Sequence, residues 1–325
     1  MNGSLPRAKG EAVQDGLLAW FAVHGRDLPW RRTRDPYRIL VAEIMLQQTQ
    51  VDRVIAYYDA FLERFPTLED LAAAPTSEVI RLWAGLGYNR RAVNLQRAAT
   101  AIVNEHSGVF PRTVAELRAL PGIGPYTAGA IACFAFEQDV AFIDTNMRRV
   151  LHRLFVGVDV PAPTAADRAI LEIAAEVIPT GQGWTWNQAL IEFGALHCTA
   201  RKPACVICPV QACCATFPAI QTVLAGRPRS ARADDIGPFT ASNRYFRGRV
   251  VDALRQLPDN ATEQGIDLHE LGTKVRDDFS EQDLPWLYGV VQGLHRDGLA
   301  LIAEDRPPYD AEGASSSGTV RVRLP

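Results

Sequence analysis

The chain is nearly without lysine. Of its 34 basic residues only Lys9, Lys202 and Lys274 are lysine, and none lies between the first two. Chemistry that needs an amine nucleophile is therefore excluded from that long segment. No run reaches the roughly 18 consecutive apolar residues of a membrane-spanning helix. Residues 1–10 are polar and mixed in charge and lack the apolar centre of a secretory signal, so export is not expected. Cysteine is also scarce. Five of the six fall between Cys198 and Cys214, and Cys133 stands alone. That clustering excludes the dispersed disulfide framework of a small secreted domain, and a reducing cytoplasm is the expected compartment. Excess positive charge is missing too, with a formal net charge of −3. Bulk charge alone argues against a nucleic-acid binder, but a local basic face can outweigh it.

What is present is a chain of 325 residues, 47% hydrophobic, enough for two or three domains with a sizeable core. The first two thirds read as helices. Asp35-Pro36 has the form of an N-cap followed by proline at the first helical position. From 37 to 65, Ile39, Leu40, Ile44, Val51, Ile55 and Tyr58 keep helical spacing, broken by Gln47-Gln48-Thr49-Gln50. Further helices are expected over 68–73, 77–86, 91–106, 114–119, 126–136, 146–155, 164–178 and 187–196, separated by Pro66, Pro75, Gly108, Pro111 and Pro121. Residues 219–240 read as a linker. Beyond it, helices over 244–257, 268–279 and 284–297 precede two short strands, 299–303 and 319–324, with a Ser/Gly/acidic loop at 310–318 read as mobile. This order suggests a small winged-helix-like α+β module. No internal repeat is evident.

Four features carry chemistry. Cys198, Cys205, Cys208 and Cys214 have the spacing C-x6-C-x2-C-x5-C, and four thiolates this close can surround a 4Fe-4S cluster or a zinc ion. Cys213 reads as a spectator and Cys133, in an apolar run, as core. Leu120-Pro121-Gly122-Ile123-Gly124 lies between two helices, and its glycines allow close backbone approach to an anion at a helix start. A plain helix–helix turn uses the same residues. Glu43 lies among Leu40, Val41, Ile44 and Met45. Apolar surroundings disfavour its charged form and suit it to general-acid work, although a glutamate on an amphipathic helix is the commoner case. Asp144 follows the apolar run 140–143 and precedes a helix. It reads as an N-cap, and a rigid capping carboxylate also suits stabilisation of a developing cation.

These features, in this order, resemble the helix-hairpin-helix DNA glycosylases with a C-terminal iron–sulfur loop, over residues 10–218. Within that family Leu28-Pro29-Trp30-Arg31, the stretch Glu43 to Val51, Gly85-Leu86-Gly87-Tyr88 and Trp186-Asn187-Gln188-Ala189-Leu190 are similar to the MutY-type adenine glycosylases. The resemblance implies a mainly α fold: an N-terminal helix in 1–30 packing with the iron–sulfur domain, a six-helix barrel with the hairpin over 31–137, the iron–sulfur domain over 138–218, the linker over 219–240 and the winged-helix-like module over 241–325. It implies a 4Fe-4S cluster on Cys198, Cys205, Cys208 and Cys214, and a monomer acting on duplex DNA that holds a mispaired or damaged base in a bacterial cytoplasm. The target base would be extruded into a pocket. Leu46 and Gly122 and Gly124 would contact DNA, Gln48 would fill the gap, and Tyr88 would wedge beside the opposite base. Trp30, Arg31 and Gln188 would line the pocket. Glu43 would protonate the adenine, Asp144 would stabilise the sugar cation, and Tyr126 and Asn146 would position groups nearby.

Two departures from the family pattern matter. Relatives with lyase activity place a lysine where this chain has Tyr126, so a monofunctional enzyme is expected. Adenine glycosylases also usually end in a Nudix-like β-rich domain that recognises 8-oxoguanine, whereas 241–325 is too short and too helical for one. Arg244, Arg247 and Arg249 there read either as duplex contacts or as a solvated helix face. The rival readings are a thymine or uracil glycosylase acting opposite guanine, and a non-enzymatic DNA-binding or redox-sensing iron–sulfur protein.

Overall fold

The computed structural model describes residues 6–160, 162–226, 239–257, 264–304 and 320–325. It is mainly helical, with one small three-stranded sheet among the described residues. No helix among them is long and apolar enough to cross a membrane. The chain divides into two compact units that interleave in sequence: residues 1–43 with 110–230, and residues 44–109 with 231–325.

The first unit is built on helices Arg7–His24, Val114–Ala119, Pro125–Phe136, Thr145–Leu151, Asp167–Glu176 and Gly183–Leu196. Pro125–Phe136 is apolar all round, and eight of its residues, Thr127 to Phe134, are buried. A helix without a polar face belongs inside a core. Helix Val114–Ala119 starts at a capping box in which Thr113 and Glu116 exchange hydrogen bonds with each other's backbone amides. Thr145–Leu151 runs on into a wider π turn, His152–Val156, in place of the single helix expected over 146–155.

The second unit contains helices Val51–Arg64, Leu68–Ala73, Thr76–Leu82 and Arg90–Glu105, and the C-terminal module. The helix expected over 77–86 stops at Leu82 because Gly85 and Gly87 adopt φ of 92° and 70°, outside any right-handed helix. The module has helices Asn243–Arg255, Leu268–Val275 and Leu284–Arg296 and an antiparallel sheet. In the sheet Val320–Arg323 lies between Ile266–Asp267 and Leu301–Glu304. Helix–strand–helix–helix–strand–strand is the winged-helix order. The strand Ile266–Asp267 was not expected, since two residues are too few to show alternation. The module shares one core with the earlier segment, in which Ile80 and Val93 pack with Val250, Leu254, Leu287 and Val291. Ser77 N donates to Pro325 O at 2.8 Å, and Arg255 donates to Ile80 O and Asn89 Oδ1. Of the expected linker, residues 219–225 form a short helix; residues 227–238, like the loop expected at 310–318, lie outside the described residues.

Candidate active site

Glu43 rides on helix Pro36–Leu46, whose start is fixed by Asp35 Oδ1 accepting from Tyr37 N at 2.8 Å. Its side chain is buried. Burial pushes the Glu43 carboxyl up to about 7. The Tyr126 hydroxyl, which donates to it, works against that rise, the negative charge of Asp144 adds to it, and the Arg31 guanidinium opposes it. Tyr126 itself is held well above its ordinary value by burial of its hydroxyl and by both carboxylates.

Asp144 caps helix Thr145–Leu151, its Oδ1 accepting from Met147 N at 2.7 Å. Its Oδ2 accepts from Asn146 Nδ2 at 3.0 Å. Asn146 Oδ1 in turn accepts from Arg149 Nη2, whose guanidinium also donates to Gly194 O and Cys198 O. Both oxygens of Asp144 are thus held, which fixes the carboxylate in place.

Trp30 and Arg31 sit in a short 3-10 turn. Arg31 donates from Nε to Gln188 Oε1 at 2.8 Å, from Nη1 to Arg26 O and from Nη2 to Glu192 Oε2 at 2.9 Å. Trp30, Arg31 and Gln188 are all but buried. Glu192 is fully buried and also accepts from the backbone N, Nε and Nη2 of Arg26. Burial alone would raise its carboxyl. The hydrogen bonds from Arg26 and Arg31 overcome that and hold it below the usual carboxylate range. Glu192 is absent from the sequence reading. The available signal was a charged residue one helical turn after Gln188 on an otherwise apolar helix.

The cysteines sort into groups. Burial pushes the Cys133 thiol up to about 12, as suits a core residue. Cys198, Cys205, Cys208 and Cys214 line one cavity with Phe193 and Ile220, and Cys213 is not among its lining residues. Arg153, from the π turn, lies at that cavity with Nη1 3.7 Å from Cys198 Sγ. Its Nε pairs with Asp159 at 2.7 Å, and its carbonyl accepts from Thr216 Oγ1. Among the described residues no three His, Cys, Asp or Glu are grouped so as to hold a single metal ion. Four sulfurs around a shared space, with a guanidinium beside one of them, suit a larger anionic centre better than one small cation.

In the hairpin Gly122 adopts φ 74°, and a Cβ on Gly124, at the start of helix Pro125–Phe136, would meet nothing within 4 Å. The second unit carries the remaining candidates. Leu46 is half-buried, while Gln48 and Tyr88 are exposed. Both exposed residues adopt left-handed backbone, φ 55° and 46°, which costs a residue with a Cβ roughly 1–2 kcal/mol. One side chain holds both turns. Arg91 donates to the carbonyls of Ile44, Met45 and Gln47 and to Thr49 Oγ1, and also to the carbonyls of Leu86 and Gly87. Burial lowers its guanidinium to about 10.

Comparison with known proteins places this geometry. Residues 41–176 match the model of the HhH-GPD superfamily of base excision DNA repair proteins. An adenine DNA glycosylase of Mycolicibacterium smegmatis is 41% identical over 290 residues, 89% of this chain and 95% of that protein. The chain belongs to the adenine DNA glycosylase family. Its human member is 43% identical over 217 residues, 64% of this chain and 40% of the human one. Among solved structures, a thermostable thymine-DNA glycosylase superposes with a TM-score of 0.61 at 33% identity, covering 66% of this chain and 98% of that one. The helix-hairpin-helix fold is therefore common to adenine and thymine glycosylases, and the longer and closer match is on the adenine side.

Proposed function

We propose that this member of the adenine DNA glycosylase family hydrolyses the N-glycosidic bond of adenine mispaired with 8-oxoguanine or guanine in duplex DNA. The observation that carries the reading is the buried Glu43 carboxyl, bonded by Tyr126 and close to the charge of Asp144. Near neutral pH such a carboxyl still holds a proton in part of the molecules. It gives that proton to a ring nitrogen of the extruded base. The bond from the sugar C1′ to the base then breaks with its electron pair leaving on adenine. The sugar left behind has oxocarbenium character, and Asp144, fixed by Met147 N and Asn146, stabilises it. Water adds to C1′ and passes its proton to the Glu43 carboxylate. The products are free adenine and an abasic site.

Trp30, Arg31 and Gln188 line the base pocket, with Arg31 held by Glu192. Leu46, Gln48 and Tyr88 enter the duplex, and Gly122 and Gly124 admit a phosphate at the hairpin. Cys198, Cys205, Cys208 and Cys214 hold a 4Fe-4S cluster, which orders the 198–214 loop rather than taking part in bond cleavage. The protein works as a monomer in the bacterial cytoplasm. Without a lysine between Lys9 and Lys202, no Schiff base forms at the site.

The likeness to a thymine-DNA glycosylase favours one second reading, action on thymine or uracil opposite guanine. Single-turnover assays on duplexes with A opposite 8-oxoguanine, A opposite G, T opposite G and U opposite G separate the two. Release of adenine alone is expected; release confined to the pyrimidine mismatches overturns the assignment. Borohydride treatment during turnover is expected to trap no covalent DNA adduct, and efficient trapping would refute the monofunctional mechanism.

A further inference from the structure

The second unit carries a groove of about 710 Å³ between the Gly85–Asn94 segment and helix Asn243–Arg255. Seven arginines line it against one carboxylate, Asp252. Asp252 is taken by Arg255, and Asp297 is shared by Arg247 and Arg90. Arg53, Arg244 and Arg249 have no carboxylate partner among the described residues. Arg249 donates to the Lys274 carbonyl, and Arg244 lies over the rings of Tyr88, at 4.1 Å, and Phe239, at 5.9 Å. Phe239 is 60% exposed and Tyr88 40% exposed. The groove is thus strongly basic in a chain whose net charge is −3, with aromatic faces set between its cations.

Gly248 gives a second, independent observation. It lies inside helix Asn243–Arg255 and lines the groove, and a Cβ there would meet no protein atom within 4 Å. An interior helical glycine costs about 1 kcal/mol relative to alanine. Packing within the protein does not explain its presence, whereas the close approach of an external backbone does.

We infer that this groove is a track for one phosphodiester strand of the duplex, with Arg53, Arg244 and Arg249 on its phosphates and Gly248 opening its floor. The strand is the one carrying the base opposite the excised adenine, because Tyr88, at the groove's edge, is the residue read as wedging beside that base. This assignment rests on the proposed function. The C-terminal module thereby holds the side of the mispair opposite the adenine by backbone contact, without a pocket for the base.

The test is binding of the full-length holo-protein, in the Glu43→Gln background to prevent turnover, to a duplex with A opposite 8-oxoguanine. The double variant Arg244→Ala/Arg249→Ala is expected to bind at least about tenfold more weakly at moderate salt. Its salt slope, the dependence of log affinity on log salt, is expected to fall by about 1 per arginine removed. Gly248→Leu is expected to weaken binding while thermal stability holds or rises. Neutral methylphosphonate linkages in the opposite strand should reproduce the loss and add nothing to the double variant. The inference is overturned if affinity and salt slope are unchanged in the double variant, if Gly248→Leu binds normally, or if only linkages in the adenine strand matter. Adenine release by the wild-type protein is measured alongside. If release persists while the groove variants bind normally, the groove assignment alone fails; if the wild type releases no adenine, the activity reading fails.

Discussion

The two units handle buried charge in opposite ways. In the first, Glu192 is enclosed by Arg26 and Arg31, so the buried carboxylate meets opposite charge directly. Among the described residues the other buried carboxyl of that unit, Glu43, has no such ion pair, and it answers burial by holding its proton more tightly. In the second, the buried Arg91 meets carbonyl and hydroxyl oxygens and the rings of Trp83 and Tyr88, and no carboxylate among the described residues cancels its positive charge. Six other arginines of that unit gather along an open groove. The first arrangement tunes a proton, and the second presents a field to a polyanion. On the proposed reading, bond chemistry falls to the first unit and most strand attachment to the second, although the two units alternate along the chain.

The sharpest way to break this contrast is Glu43→Gln. Base release in single turnover is expected to fall by on the order of 10³-fold, within the range for loss of a general acid, with DNA affinity largely kept. A loss of binding in step with activity would place Glu43 among the attachment residues instead. Asp144→Asn comes next. Asparagine caps a helix about as well, so thermal stability is expected to hold while release falls by roughly 10²-fold from loss of the charge; a fall in melting temperature without a rate effect would make Asp144 purely structural. Glu192→Gln leaves two guanidiniums without their carboxylate, and denaturant unfolding is expected to show a loss of about 3 kcal/mol.

The smallest effect per step is that of pH. Since Glu43 is pushed from 4.5 to about 7, release is expected to decline as pH rises through about 7, approaching tenfold per unit above it. The raised value also means that the folded state binds this proton more tightly than the unfolded one. Its contribution to stability is full below about 4.5 and is lost as pH rises to about 7. Glu192, held below its ordinary value, acts in the other direction: its contribution is kept above that value and lost on acidification. A rate profile flat from pH 6 to 9 would remove the proton-donor role from Glu43.

Much of the helical order was legible in the sequence, because amphipathic spacing and the Asp35-Pro36 start are local signals. The winged-helix order of the C-terminal module could also be read from its run of elements. What escaped was non-local. The strand Ile266–Asp267 exists only through pairing with Val320–Arg323, more than fifty residues away. The π turn at His152–Val156 carries no compositional mark, yet it aims Arg153 at Cys198. At the site, Glu43, Tyr126, Asp144 and Arg31 stand within electrostatic reach of one another. Each was singled out on local grounds or by likeness to a family. Glu192, Arg26, Arg149 and Arg91 were not, because each acquires its meaning from a partner distant in sequence. A glutamate in an apolar helix or an arginine near a glycine turn looks ordinary until the fold brings its counterpart.

Arg91 makes the turns bearing Gln48 and Tyr88 a single mechanical part. Neither tip can shift without disturbing hydrogen bonds that anchor the other. Filling a vacated space and propping the neighbouring base would then succeed or fail together, as one two-pronged stroke. A lesion at position 91 would blunt both prongs at once, even though that residue need never touch a nucleotide.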